Sequence, residues 1–313
     1  MRKRGFAALL LALALLLCGA APAQKESVPG AESVPMKIDG LLSARAFRRD
    51  GQIFVPLRAL CAACSRELSW TGDEDGFEAQ IGPLAVRGEK DRGYFVADGR
   101  YVWAPGGWMV RGEDLYLPVP AAQKLFGAEA VTDAEGVTFH MRGAQLLQGG
   151  EDYYALNFPA DDFYWLTHII HAEAGIEPLE GKIGVGNVVM NRVKSSIFPD
   201  TVFEVVYDTE HVIQFEPIAV GAIHEDPDEE SVAAACLVLE GANTVGDCLY
   251  FVNPSFGSAW FDATLKLEKV IGRHNFYTQK DECSDARADT DTGLRGAGAA
   301  AGRAGGGALP RLL

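Results

Sequence analysis

The residues best suited to chemistry lie in the run His168-Ile-Ile-His-Ala-Glu-Ala-Gly175 and in the stretch Ile183–Val193 that follows it. Leu166, Ile169, Ile170 and Glu173 are spaced by three and four, so on a helix they share one face. That spacing sets a carboxylate on the apolar side of the helix, where desolvation penalises the anion and favours the protonated acid. A protonated carboxyl in a cleft can act as a general acid toward an acetal oxygen. Two other fates are open to the same group, pairing with Arg192 or capping by backbone amides, because a buried carboxyl left unbonded penalises folding.

His168, His171 and Glu173 also raise a metal reading, since a His-x-x-His pair can reach one ion. No HExxH is present, and Glu173 lies only two residues from His171, so the two point different ways. His211 and His224 fall in loops. No metal and no cofactor is expected.

The elements that must hold Glu173 are mostly helical. A first helix is predicted over 162–174, capped by Asp161 or Asp162 and stopped by Gly175. Pro178 starts a second helix running to Lys194, with Gly184 and Gly186 permitting close packing. Thr201-Val-Phe-Glu204 has capping-box spacing before a short helix. Pro227 opens another helix through Glu240, ended by Gly241. Two strand-like pieces follow, Leu249–Val252 and Asn275–Tyr277.

Ahead of this region a pattern occurs twice. Gly51-Gln-Ile-Phe-Val-Pro-Leu-Arg-Ala-Leu60 resembles Gly112-Glu-Asp-Leu-Tyr-Leu-Pro-Val-Pro-Ala121: a short apolar strand, a proline, then a helical stretch. Strand signals follow each, at Leu68–Trp70 and Phe77–Ile81 in the first, and at Ala130–Val131 and Val137–Met141 in the second.

The chain opens on basic Met1-Arg-Lys-Arg4, an apolar run Phe6–Leu17 and Ala21-Pro-Ala23, the pattern of a signal peptide cut after Ala23. The apolar run is short for a bilayer span, and bulky Leu17 argues against lipid attachment at Cys18. Removing Arg2, Lys3 and Arg4 from 28 basic residues leaves 25 against 43 acidic ones, a net charge of −18. So acidic a protein disfavours nucleic acid and anionic membrane surfaces, and leaves a neutral glycan as a reasonable partner.

Five cysteines remain after that cut, an odd number, so at least one is unpaired within a monomer. Cys61 and Cys64 have CxxC spacing in a helical segment with no second pair nearby for zinc. Packed helix-face thiols are expected there, with a redox or disulfide role as the alternative. Cys236 and Cys248 are close enough in sequence to pair.

Two resemblances organise these pieces. The strand-proline-helix repeat is similar to the small repeated domain named after the N-terminal region of copper amine oxidases. No histidine lies between Met36 and Phe139, so oxidase copper chemistry does not come with it. A wall-binding or protein-binding accessory role, or a spacer, is what the resemblance implies. The second region resembles the cell wall hydrolase family that includes the bacterial spore cortex-lytic enzymes. The matching pieces are Ala172-Glu173-Ala174, Glu177-Pro178, Glu180-Gly181, Gly184–Val193, Phe198-Pro199, Val206-Tyr207, Gln214-Phe215, Leu249–Pro254 and Gly272–Tyr277. Ala172 departs from the glycine that family members often carry there.

That resemblance implies a fold similar to lysozyme-like lytic transglycosylases and maps the catalytic acid onto Glu173. The implied reaction is cleavage of the glycosidic bond between N-acetylmuramic acid and N-acetylglucosamine, with one glutamate as acid and then base. A hydrolytic muramidase or glucosaminidase is the nearest alternative, and a non-catalytic wall-binding protein the alternative from another class. A second carboxylate, if one acts, would come from Glu177, Glu180 or Glu216, with Glu180 on a solvated face and Glu177 capping the second helix. Gln214, Tyr250 and Asn253 are candidates for holding sugar hydroxyls and N-acetyl groups. Tyr250 could equally be core, and Asn253 could merely make a turn before Pro254. Asn191-Arg192 is expected to anchor the second helix to a loop, and His274 to bond the backbone.

The expected chain is α+β: a small N-terminal α+β repeat domain, then a mainly helical lysozyme-like domain. Its divisions are 1–23 signal peptide, 24–35 linker, 36–142 accessory domain, 143–160 linker, 161–279 catalytic domain and 280–313 disordered tail. A secreted protein acting on peptidoglycan glycan strands in the cell wall or spore envelope follows, with no transmembrane segment after signal cleavage.

Overall fold

The computed structural model describes residues 30–149, 159–208, 222–256 and 259–280. The signal peptide and all but Lys280 of the expected tail lie outside the described residues.

Two sheets make the N-terminal region. Strands β1 (Glu32–Ile38), β2 (Leu41–Arg49) and β3 (Gln52–Pro56) join β9 (Met109–Arg111), β10 (Asp114–Pro118), β11 (Glu129–Thr132) and β12 (Val137–His140) in the order β11-β12-β1-β2-β3-β10-β9. Strands β4 (Leu68–Gly72), β5 (Gly76–Ile81), β6 (Leu84–Glu89), β7 (Tyr94–Ala97) and β8 (Arg100–Trp103) form an antiparallel meander. The two proline-ended strands are β3 and β10, and they pair directly, Leu117 opposite Val55. Each leads into a short helix, α1 (Leu57–Ala63) or α2 (Val119–Phe126), with Pro56 and Pro118 at the N-caps. A proline there gives up an N–H that has no partner within the helix.

The expected linkers are corrected. Residues Glu32–Pro35 already belong to β1, with Val34 buried, because β1 is needed between β2 and β12. In the described part of 143–160, Leu146 is buried and Leu147 N donates to Leu125 O at 2.8 Å, so this stretch packs on the first region.

Among the described residues, Cys61, Cys64, Cys236 and Cys248 form no disulfide with one another. Cys61 packs on the buried face of α1, and burial pushes its thiol up to about 12, which leaves it protonated and inert at neutral pH.

The C-terminal region holds helices α3 (Ala160–Ala174), α4 (Leu179–Lys194), α5 (Val202–Val206), α6 (Glu229–Leu239) and α7 (Ala259–Thr264). It also holds an antiparallel sheet of order β13 (Tyr250–Val252), β15 (His274–Gln279), β14 (Leu265–Ile271). The expected strand-like pieces are β13 and part of β15, and this sheet gives Tyr250, Phe251, Phe276 and Tyr277 to the core. Strand β14 escaped the sequence reading because its interior is exposed and rich in Lys and Glu, as suits a sheet edge.

Helix α3 starts at Ala160 behind Pro159, and no side chain caps it. Asp161 and Asp162 stand inside the first turn instead, where carboxylates complement the helix dipole. Asp162 also accepts a hydrogen bond from the Val202 amide, which ties α3 to α5. Thr201 caps α5 as its spacing predicts: Oγ1 accepts from Glu204 N at 3.2 Å and donates to Glu204 Oε2 at 2.9 Å. At Gly186 a Cβ would come within 3 Å of both Ile170 and Val238, so glycine lets α4 approach α3 and α6 closely.

The two regions meet along β8. Tyr94, Tyr101 and Trp103 pack against the C-terminal core. Glu240, just past α6, has a side chain only 3 % exposed. Its Oε1 accepts from Arg100 Nε at 2.8 Å, its Oε2 lies 2.8 Å from Lys124 Nζ, and its carbonyl accepts from the same ammonium at 2.7 Å.

Candidate active site

Glu173 sits in the last turn of α3, half-buried, with Oε1 shielded from solvent. Leu166, Ile169 and Ile170, which share its face, are fully buried. The C-terminal end of a helix carries partial negative charge, which favours the neutral carboxyl at this position.

The opposing influence comes from α4. Arg192 is 1 % exposed and is the largest fully buried side chain among the described residues. Its Nε donates to Leu249 O at 2.8 Å. The guanidinium lies over the rings of Phe198 at 4.9 Å and Tyr250 at 5.6 Å. Burial pulls its pKa down to about 10, against the counter-effect of Tyr250, Asp208 and Glu173, so the cation persists at neutral pH. Glu173 therefore works in the field of a caged arginine (the pairing kept open on sequence grounds).

Asn191 donates to Gly246 O at 2.8 Å and Cys248 O at 3.0 Å, so Asn191 and Arg192 together fasten α4 to the 246–249 loop, as their sequence position suggests. Asn187 adds two bonds to the segment just before it, to Ala242 O and from Thr244 N.

The proposed sugar ligands fare unequally. Tyr250 is 4 % exposed, in a cluster with Phe198, Phe261, Leu265 and Tyr277, so it walls the arginine cage and offers no open face to a sugar. Asn253 is half-buried, and its Oδ1 accepts from Ser255 N at 3.0 Å, closing an Asx turn. Gln214, Glu216 and His211 lie outside the described residues.

Of the other candidate carboxylates, the two that are described, Glu177 and Glu180, are engaged. Glu177 is buried and does not cap α4, whose N-cap is Pro178. Its Oε2 accepts from Arg273 N at 2.8 Å, at the turn between β14 and β15. Gly272 occupies that turn at φ +56°, and a Cβ there would collide with the Glu177 carboxylate. Glu180 is exposed and pairs with Lys269 at 3.1 Å.

The histidines turn to other partners. His168 Nδ1 lies 2.8 Å from Tyr164 O, and because a carbonyl only accepts, that nitrogen carries the proton. His171 Nδ1 sits 3.3 Å from both the amide and Oδ2 of Asp228. No cluster of three metal-type ligands exists among the described residues. His274 does not bond the backbone through Nδ1, which is buried without a hydrogen-bond partner among the described residues; its ring packs edge-on against Phe251 at 5.2 Å.

A cavity of about 520 Å³, lined by Tyr101, Tyr164, His168 and Pro227 among others, opens on the side of α3 away from Glu173. Sequence reasoning passed over the rings of Trp165, Phe203 and Tyr207, which meet at 4.8–5.4 Å. The i, i+4 spacing of Phe203 and Tyr207 was the available signal.

Residues 176–277 match the family model described as Cell Wall Hydrolase, a span that begins just after Glu173. The spore cortex-lytic enzyme of Oceanobacillus iheyensis is 30% identical over 119 residues, 38% of this chain and 42% of that protein. That of Halalkalibacterium halodurans is 32% identical over 126 residues, 39% of this chain and 37% of the relative. The chain thus spans less than half the length of these curated relatives. Among solved structures, the catalytic domain of a germination-specific lytic transglycosylase from Bacillus anthracis is 28% identical, covers 39% of this chain and 98% of its own, and has a TM-score of 0.36.

Proposed function

We propose that the protein cleaves peptidoglycan glycan strands at the bond between N-acetylmuramic acid and N-acetylglucosamine, with Glu173 as the single acid and base. The observation that carries this reading is a shielded carboxyl at the end of α3 beside a caged cation, directly preceding a cell wall hydrolase match.

The neutral Glu173 carboxyl gives its proton to the glycosidic oxygen as the C1–O bond breaks. The muramyl C1 becomes oxocarbenium-like, and Glu173 is left as an anion beside Arg192. That carboxylate then takes the proton from the muramyl C6 hydroxyl, whose oxygen closes on C1 to give the 1,6-anhydro ring. Acid and base are one group, so no partner carboxylate is required, in contrast to the two carboxylates of ordinary glycosidases. Glu177 and Glu180 are bound up in structural contacts, so neither is placed to act as that partner.

Residues 1–23 are proposed to direct secretion, and the N-terminal region to serve as a wall-contacting accessory module. The test of the reaction is the mass of the products from purified peptidoglycan. Muropeptides ending in anhydro rings, one water lighter than hydrolysis products, are expected. Normal reducing ends would establish the hydrolase, and protein retained on the wall without any release would leave only a binding role.

A further inference from the structure

Four aromatic rings are contiguous on the outside of α3 and α5. Trp165 lies 5.2 Å from Phe203, 5.4 Å from Tyr207 and 4.9 Å from Tyr164, and Phe203 lies 4.8 Å from Tyr207. Helix α5 explains the arrangement. Val202, Val205 and Val206 face the core and Phe203 faces away from it, while Tyr207 at the C-cap and Trp165 on α3 are half-buried at the core's edge and back the exposed ring. Phe203 is 46 % exposed and Tyr164 44 %. The ledge is firmly held, because the Thr201–Glu204 box caps α5 and the Asp162 carboxylate accepts from the Val202 amide. A scattered exposed ring needs no explanation, whereas two exposed rings joined through two half-buried ones into a fixed group do.

We propose that Trp165, Phe203 and Tyr207 form a saccharide-stacking subsite that holds the glycan strand at a distance from the bond being cut. This rests on the reading of Glu173 given above. The ledge runs toward that residue by two routes. Trp165, Ile169 and Glu173 are successive i, i+4 positions, which sets Trp165 about 12 Å from Glu173 along the helix axis. Tyr207 is followed at once by Asp208, whose charge acts on Arg192 and so lies in the same field as Glu173.

The chemistry of the ledge selects a neutral sugar. The C–H face of a pyranose is weakly positive and stacks on the negative face of an aromatic ring. The first turns of α3 and α5 carry Asp161, Asp162 and Glu204, Asp208 follows Tyr207, and neither α3 nor α5 contains Lys or Arg. Nucleic acid and anionic lipid are therefore repelled. The acidic rim leaves the sugar hydroxyls as donors to carboxylate oxygens.

The full chain carrying Glu173→Gln, which binds without cutting, is sedimented with insoluble purified peptidoglycan. It is compared with the same chain carrying Phe203→Leu, and then Phe203→Leu with Tyr207→Leu. Leucine keeps apolar contact with the protein but removes the stacking face. Each replacement is expected to weaken retention, the pair by roughly tenfold in Kd, about 1.4 kcal/mol. Circular dichroism and elution volume stay unchanged. Retention equal in all three chains overturns the subsite, as does no retention of the parent. A shift in oligomeric state on replacement also overturns it, by assigning the ledge to a second copy. Ring-dependent retention by a chain whose unmutated form releases no muropeptides would leave the subsite standing and remove the cleavage reading instead.

Discussion

Glu173 is balanced between two influences at the scale of single atoms. Its position in the last turn of α3 and the shielding of Oε1 disfavour the charged form, and the Arg192 cation favours it. Replacing Arg192 by Met keeps much of the volume but removes the cation. The acid form should then persist to higher pH, so the alkaline limb of the rate profile moves upward, while Arg192→Lys restores part of the original position. Rates from pH 5 to 9 check this, and a limb that stays in place would break the link between the two residues. His274 gives a separate pH effect. Its pKa is lowered by burial, opposed only by Glu177, so the folded state resists the proton that the unfolded chain accepts. Stability is full above the ordinary histidine value near about 6.5 and declines as pH falls below it. In His274→Gln that part of the decline should vanish in urea titrations at pH 7 and pH 5.5.

Elements place these groups, and they differ in how plainly the sequence announces them. Helices α3, α4 and α6, the Thr201 cap and the two strand-proline-helix units were legible because periodicity, capping residues and proline act locally. Glu173 was legible for the same reason, through its spacing from Leu166, Ile169 and Ile170. What escaped depends on contacts distant in the chain. Strand β14 is defined by pairing with β15, and Glu177 by an amide at Arg273. Local signals give no hint of such partners. Two substitutions probe this level. Thr201→Ala removes a cap and should cost about 1 kcal/mol in thermal or urea unfolding. Gly272→Ala forces a left-handed residue and pushes Glu177 off the Arg273 amide, and should cost about 2 kcal/mol or more. A neutral Gly272→Ala would show that the turn is not held as described.

At the scale of the whole molecule, the buried Glu240 joins the C-terminal helices to the N-terminal region through Arg100 of β8 and Lys124 of α2. Burial raises the Glu240 pKa, but the two cationic donors outweigh that and hold it below the usual carboxylate value. The contribution of the junction is therefore complete above about pH 4.3 and is lost as the pH falls through the lower folded value. Glu240→Gln leaves Arg100 and Lys124 facing a neutral group, and should cost about 3 kcal/mol. Calorimetry would then resolve two transitions where the parent unfolds in one. With the junction intact, the N-terminal sheets and the C-terminal helices are held together as one body, and the proposed reaction turns on a single proton donor within it. The most direct measurement follows soluble muropeptides released from purified peptidoglycan by the intact protein and by its Glu173→Gln variant, with circular dichroism confirming equal folding. Release by the parent alone is the predicted result, and release by the folded variant at a comparable rate would contradict it.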